Sequence, residues 1–138
     1  MSKKSVHKRT PSENIDIFET EHDAQVRVVK ALKRQKVLFC AVPNGGFRQK
    51  FSAVRLKREG VTPGVPDLLI FSAPPGAVES ARGVAIEMKT KKGRVSPEQA
   101  GFHASLTACG WLVFVCRGSD EALAVLVDLG YLSETPLK

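Results

Sequence analysis

Beyond a polar, basic stretch over residues 1–18, apolar residues begin to recur at helical spacing, with Val28, Ala31, Leu32 and Gln35 on one face. Thr20 stands where an N-cap is needed and Asp23 follows in the place of a capping-box acid, so a helix is predicted from there to about Lys36. Residues 37–42 are a short run rich in β-formers, closed by Pro43-Asn44-Gly45-Gly46, which reads as a strand and a turn. No strand pattern occurs between Asn44 and Pro66, but residues 51–59 have helical character and Gly60 at the C-terminal position. Residues 67–71 then form an apolar run after Pro66, and residues 83–89 alternate cleanly. Ser96-Pro97-Glu98-Gln99 is a helix start with an N-cap, a proline at the first position and a glutamine to close the box. That helix is expected to run to Cys109 and stop at Gly110. Residues 111–116 follow as a fourth strand, and Ser119 is expected to cap a last helix ending near Gly130.

The order is α-β-(α)-β-β-α-β-α. The strand–helix–strand unit over residues 83–116 requires a parallel crossover, whereas the shorter links between the earlier strands permit antiparallel pairing. The expected fold is α/β: a mixed four-stranded sheet flanked by helices. The expected organisation is a flexible basic arm over residues 1–18, one domain over residues 19–131 and a tail over residues 132–138.

Alternation in the third strand sends Val84, Ile86 and Met88 to one face and Ala85, Glu87 and Lys89 to the other. A strand covered by helices on both sides should be apolar on both faces, so two charges there are costly unless something pairs with them. A divalent cation and a phosphate would do so; an exposed edge strand would also accommodate a Glu and a Lys. Antiparallel pairing across the loop over residues 73–82 could set Asp67 beside Glu87 or Lys89. Two carboxylates and a lysine suit a hard cation such as Mg2+ or Mn2+. Glu21, Gln25, Val28 and Leu32 form one stripe on the first helix, and Gln99, Phe102, Leu106 and Cys109 form one on the later helix. Both stripes turn polar at their N-terminal ends, which suggests a shared polar pocket. Taken singly, Glu21 would equally serve the helix dipole and Gln99 the capping box.

Charge adds weight to a polyanionic partner. The 138 residues carry 21 Lys and Arg against 14 acidic residues, a formal net charge of +7, and nucleic acid is the commonest partner of so basic a domain. The three cysteines, Cys40, Cys109 and Cys116, make no CxxC pair, and Cys40 and Cys116 sit in apolar runs where a thiol acts as a small hydrophobe. That pattern argues against a disulfide scaffold or a zinc site and suits a reducing compartment. With no signal-peptide pattern at the N-terminus and no apolar run of spanning length, a cytoplasmic protein without a membrane partner is expected.

Five motifs in order now carry a resemblance: Glu21 and Gln25 in the opening helix, Val42-Pro43-Asn44-Gly45-Gly46, Gly64-Val65-Pro66-Asp67, Glu87-Met88-Lys89, and Ser96-Pro97-Glu98-Gln99. From Glu21 to Val125 the chain resembles the VRR-NUC domain, the virus-type replication-repair nuclease module of the PD-(D/E)xK superfamily. The resemblance implies a restriction-endonuclease-like core and Mg2+- or Mn2+-dependent hydrolysis of phosphodiesters in DNA. It casts Asp67 and Glu87 as metal ligands together with the Met88 backbone carbonyl. Lys89 becomes the residue that orients or activates water, Glu21 an accessory acid that joins the metal site, and Gln99 a supporting residue. The chain looks like the stand-alone viral or bacterial form, which resembles a homodimeric cutter of branched DNA such as four-way (Holliday) junctions.

For the grip on DNA the candidates are Arg48, Lys50, Arg55, Lys57 and Arg58, in a stretch without acids, and Lys91, Lys92 and Arg94 after the third strand. Any one of them alone would equally serve solubility. His7, His22 and His103 share no metal-ligand spacing and read as surface or helix residues. The rival reading is a non-catalytic nucleic-acid-binding module on the same fold, against which the complete acid–acid–lysine set argues. A small metabolic α/β enzyme has no GxGxxG or P-loop motif in its favour.

Overall fold

The computed structural model describes residues 19–43, 50–76 and 80–134, the side chains of 50–52 excepted. The expected arm over 1–18, the Asn44-Gly45-Gly46 turn and Arg48 lie outside the described residues. The elements run α1 (Glu21–Arg34), β1 (Phe39–Ala41), α2 (Lys50–Arg58), β2 (Leu68–Ile70), β3 (Val84–Lys89), α3 (Pro97–Ala108), β4 (Leu112–Arg117) and α4 (Ser119–Asp128). They build one four-stranded sheet in the order β1-β2-β3-β4. The first two pairings are antiparallel and β3 with β4 is parallel, the mixed sheet that the link lengths predict.

The sheet has one sealed face. Val84, Ile86 and Met88 of β3 pack there with Leu68 and Ile70 of β2 and Cys116 of β4. Val28, Ala31 and Leu32 of α1 and Ala122, Leu123 and Leu126 of α4 close the layer from above. Burial keeps the Cys116 thiol protonated, with its pKa pushed up to about 12. The core continues past α4: Leu132, assigned to the tail from sequence, is buried together with Tyr131. Helix α3 covers the opposite face.

Several elements differ from expectation in ways that have local causes. β1 is shorter than residues 37–42 because β2 offers it only three partners, although Phe71 N–H to Leu38 O (3.1 Å) and Val42 N–H to Asp67 O (2.8 Å) extend the ladder one bond each way. Gln35 does not face the core; it is the C-cap of α1, exposed where the chain turns away through Lys36 at φ 55°. Cys109 is likewise the exposed C-cap of α3. Cys40 is exposed too. The register aligns it with Leu69, Ala85 and Val113 on the α3 side of the sheet, at the edge strand.

Ser119 is not the cap of the last helix but its first residue, after Gly118. The capping is done from the far end of the domain. The Glu19 carboxylate accepts the Ser119 N–H at 2.8 Å and its hydroxyl at 2.6 Å, meeting one of the donors a helix start leaves open.

Candidate active site

Asp67 immediately precedes β2, and continuing the β2–β3 register by one residue sets it opposite Glu87. Its backbone is held by Val42 and its carboxylate Oδ2 accepts the Met88 N–H at 2.7 Å. The N–H and C=O of a strand residue point towards the same neighbouring strand, so the Met88 carbonyl lies on the Asp67 side of β3.

The glycine of Gly64-Val65-Pro66-Asp67 has a steric reason. Gly64 sits at φ +90°, and a Cβ there would stand 2.3 Å from the Glu98 carbonyl oxygen and 2.8 Å from the Gln99 nitrogen. Only a residue without a side chain lets the segment leading to Asp67 lie against the first turn of α3.

That first turn reaches the site through Gln99. Its Oε1 accepts the Ser96 N–H at 2.9 Å, while the Ser96 hydroxyl accepts the Gln99 N–H, completing the capping box. Its Nε2 donates to Glu87 Oε1 at 2.9 Å. The two roles considered for Gln99 are therefore filled at once, and the cap fixes which end of the amide faces the carboxylate.

Glu87 is the only buried acid among the described residues, at 2% exposure. Lys89 Nζ stands 3.5 Å from the same Oε1. The other oxygen, Oε2, is buried without a hydrogen-bond partner among the described residues. Burial first, and the charge of Asp67 second, push the Glu87 carboxyl up to about 7 against the opposing pull of Lys89. Two carboxylates held close in a desolvated place are short of positive charge.

A divalent cation would answer that shortage, and the donors present would favour a hard one. Among the described residues no group of three or more His, Cys, Asp or Glu converges, so no all-protein cage exists. Two carboxylates, a backbone carbonyl and open positions for water suit Mg2+ or Mn2+.

Glu21 is exposed at the start of α1 and lines a cleft of about 430 Å³ together with Lys89, Thr90, Lys91, Lys92 and Arg117. It thus shares an opening with Lys89, while Gln25 lines a separate groove with His22, Val29 and Lys33. The single polar pocket expected from the two helix stripes is in this respect corrected: the phase of α1 turns Gln25 towards other surroundings.

Lys91 and Lys92 border the Glu21 cleft, on a turn held by Arg117, whose Nη1 donates to the carbonyls of Thr90 (2.8 Å), Lys91 (3.3 Å) and Gly93 (2.6 Å). Arg94, Arg55, Lys57 and Arg58 are exposed, and Arg55 pairs with Glu59 at 3.1 Å. Lys50 opens α2, its side chain outside the described residues.

His103 lies on helix α3, as one of its two sequence readings had it, but not at the surface: it belongs to the site. Its side chain is 13% exposed and its Nε2 lies 3.7 Å from Glu87 Oε2. The available signal was spacing: His103 follows Gln99 by one helical turn, between Phe102 and Leu106 of the inward stripe.

The family model of the VRR-NUC domain matches residues 19–120. A solved structure described as a "VRR_NUC domain protein" is similar to this chain, with a TM-score of 0.65 and 26% identity over 86% of this chain and 98% of that one. No curated protein matches. No helix among the described residues is long and apolar enough to cross a membrane.

Proposed function

The chain belongs to the VRR-NUC domain family, and from that premise we propose that it is a Mg2+- or Mn2+-dependent DNA endonuclease acting through Asp67, Glu87 and Lys89. The observation that carries the reading is the buried Glu87 carboxylate, with one oxygen unpartnered, flanked by Asp67 and Lys89. A cation held by Asp67, Glu87 and the Met88 carbonyl would supply the charge that neutralises the scissile phosphate and acidifies a water. Gln99 keeps Glu87 Oε1 in place. Lys89 presents a fixed positive charge beside the attacked phosphate, and Glu21, across the cleft, is an accessory acid. Arg48, Lys50, Arg55, Lys57, Arg58, Lys91, Lys92 and Arg94 contact phosphates, which position the duplex without reading its sequence.

The finer reading is a homodimer that nicks four-way junctions. A two-fold pair of sites matches two equivalent strands of a junction. The final helix and the segment 51–59 both carry apolar residues that could pair two copies, but Leu123 and Leu126 of α4 are consumed by the core, whereas Val54 of α2 is 66% exposed. The alternative, a binding module without catalysis, is favoured by no observation in the site.

One experiment separates these readings. Labelled hairpin, flap, fork, four-way junction and linear duplex substrates are incubated with and without Mg2+ or Mn2+, using the wild type and Asp67→Asn, Glu87→Gln and Lys89→Ala. Metal-dependent nicking of the junction before the duplex, abolished in each variant while binding persists, is the expected result. Binding without any cleavage by the wild type would establish the non-catalytic alternative. Near-normal cleavage by either carboxylate variant would remove these residues from the mechanism.

A further inference from the structure

Two buried polar atoms among the described residues lack a hydrogen-bond partner, and they face each other: Glu87 Oε2 and His103 Nε2, 3.7 Å apart. A buried polar atom without a partner costs about 1–3 kcal/mol, so two in one place call for a joint explanation. Their surroundings are already committed. Gln99 Nε2 and Lys89 Nζ both address Glu87 Oε1, and Asp67 Oδ2 takes the Met88 N–H. Asp67 also bears on the Glu87 carboxyl but, as an acid, brings a donor only when protonated, whereas the imidazole faces Oε2 directly at 3.7 Å.

We propose that His103 is a positioning residue for Glu87, its Nε2–H donating to Oε2 so that α3 grips both carboxylate oxygens from successive turns. The proposal rests on the metal-dependent reading above. A separation of 3.7 Å is too long for a hydrogen bond, but contacts in apo sites are commonly loose and tighten when the site is loaded. A neutral ring can donate from Nε2 without adding a second cation beside Lys89.

The arrangement has a chemical purpose. A carboxylate that rotates freely presents its lone pairs poorly to a cation, and groups that orient a ligand are worth about 10–100-fold in metal affinity. Gln99 and Lys89 both address Oε1 and leave Glu87 free to pivot about it. A second donor one turn along the same rigid helix removes that freedom, and α3 then supports both carboxylate oxygens.

The test measures Mn2+ binding by the full chain, without DNA, by titration calorimetry and electron paramagnetic resonance. His103→Phe keeps an aromatic ring but no donor, and His103→Gln places an amide N–H close to the position of Nε2. The expected result is a loss of about 10–100-fold in Mn2+ affinity for His103→Phe and recovery of most of it in His103→Gln. Pulsed resonance should show no directly coupled imidazole nitrogen from His103 in the wild type. Nitrogen shifts of the labelled wild-type ring should report the Nε2–H tautomer, a readout that needs no variant to fold.

Unchanged affinity in His103→Phe, or an Nδ1–H tautomer, overturns the proposal while leaving the metal reading intact. A coupled imidazole nitrogen that vanishes in His103→Phe overturns it differently, by making His103 a ligand. A wild type that takes up no Mn2+ overturns the metal reading, and this inference with it.

Discussion

On one face of the sheet α1 and α4 bury Val84, Ile86 and Met88 to 1% exposure or less. On the other, Leu69, Val113 and Val115 are only half-buried, and α3 contributes no fully buried residue. The same strand, β3, supplies both surfaces. Its even positions are aliphatic and sealed, while Glu87 and Lys89 lie at its odd positions. The contrast separates two demands that conflict at a single site. Burying apolar area stabilises the fold at roughly 25 cal/mol per Å², whereas a metal and a phosphate need access and unmet polar atoms. Among the described residues α3 alone lies over that face, which leaves room for the half-satisfied carboxylate and, on the proposed function, for the approach of substrate.

The largest expected effect is on the sealed face. Ile86→Ala should cost about 2–5 kcal/mol in denaturant unfolding, because a buried aliphatic is lost and its walls relax only in part. Val113→Ala, on the α3 side, should cost about 1 kcal/mol, since its methyls are already half in water. Equal costs would erase the distinction between the faces.

Next in size is Gly64→Ala, which strikes the junction of the segment before β2 with α3. The added methyl meets the Glu98 carbonyl at a backbone angle that L-residues rarely adopt, and a loss of about 1–3 kcal/mol follows. Because Asp67 lies three residues on, Mn2+ affinity should fall further than in Val113→Ala at equal loss of stability. Affinity that tracks stability alone in both variants would show that this packing does not position the acid.

A third effect, graded by pH, is the dependence that Glu87 confers on the metal-free protein. Its folded pKa, about 7, lies above its ordinary value of 4.5, so the folded state holds the proton more tightly than the unfolded one. Stability from this group is present below the ordinary value, declines as pH rises between the two, and is lost above about 7. Glu87→Gln should flatten that decline and raise the melting temperature at pH 8, whereas Ile86→Ala should shift the whole curve down without changing its slope. A wild-type curve that rises over the same window would contradict the assignment of the shift to Glu87.

The mixed sheet and the strand faces were legible because alternation and link length are local properties. Asp67, Glu87 and Lys89 could be placed together for the same reason. What could not be read is how far one element covers another. Cys40 and Cys109 occur in apolar patterns yet are exposed, since periodicity carries no record of where the covering helix ends. His103 escaped notice because a histidine on a helix is uninformative until its neighbour across the sheet is known. Ser119 was mistaken for a cap because the acid that serves the helix start lies 100 residues earlier.

That remote carboxylate ties a local event to a global one. An amide in the first turn of a helix ordinarily exchanges its hydrogen quickly, because the end frays while the rest of the molecule stays intact. The Ser119 amide is secured by Glu19, just ahead of α1, and α1 itself packs on α4 through the core. Releasing it means parting the first and last helices, which cannot happen without opening the sealed layer between them. Its protection against deuterium should therefore match that of Ile86 at the centre of the sheet, so that a helix end reports on the cooperative unfolding of the whole domain.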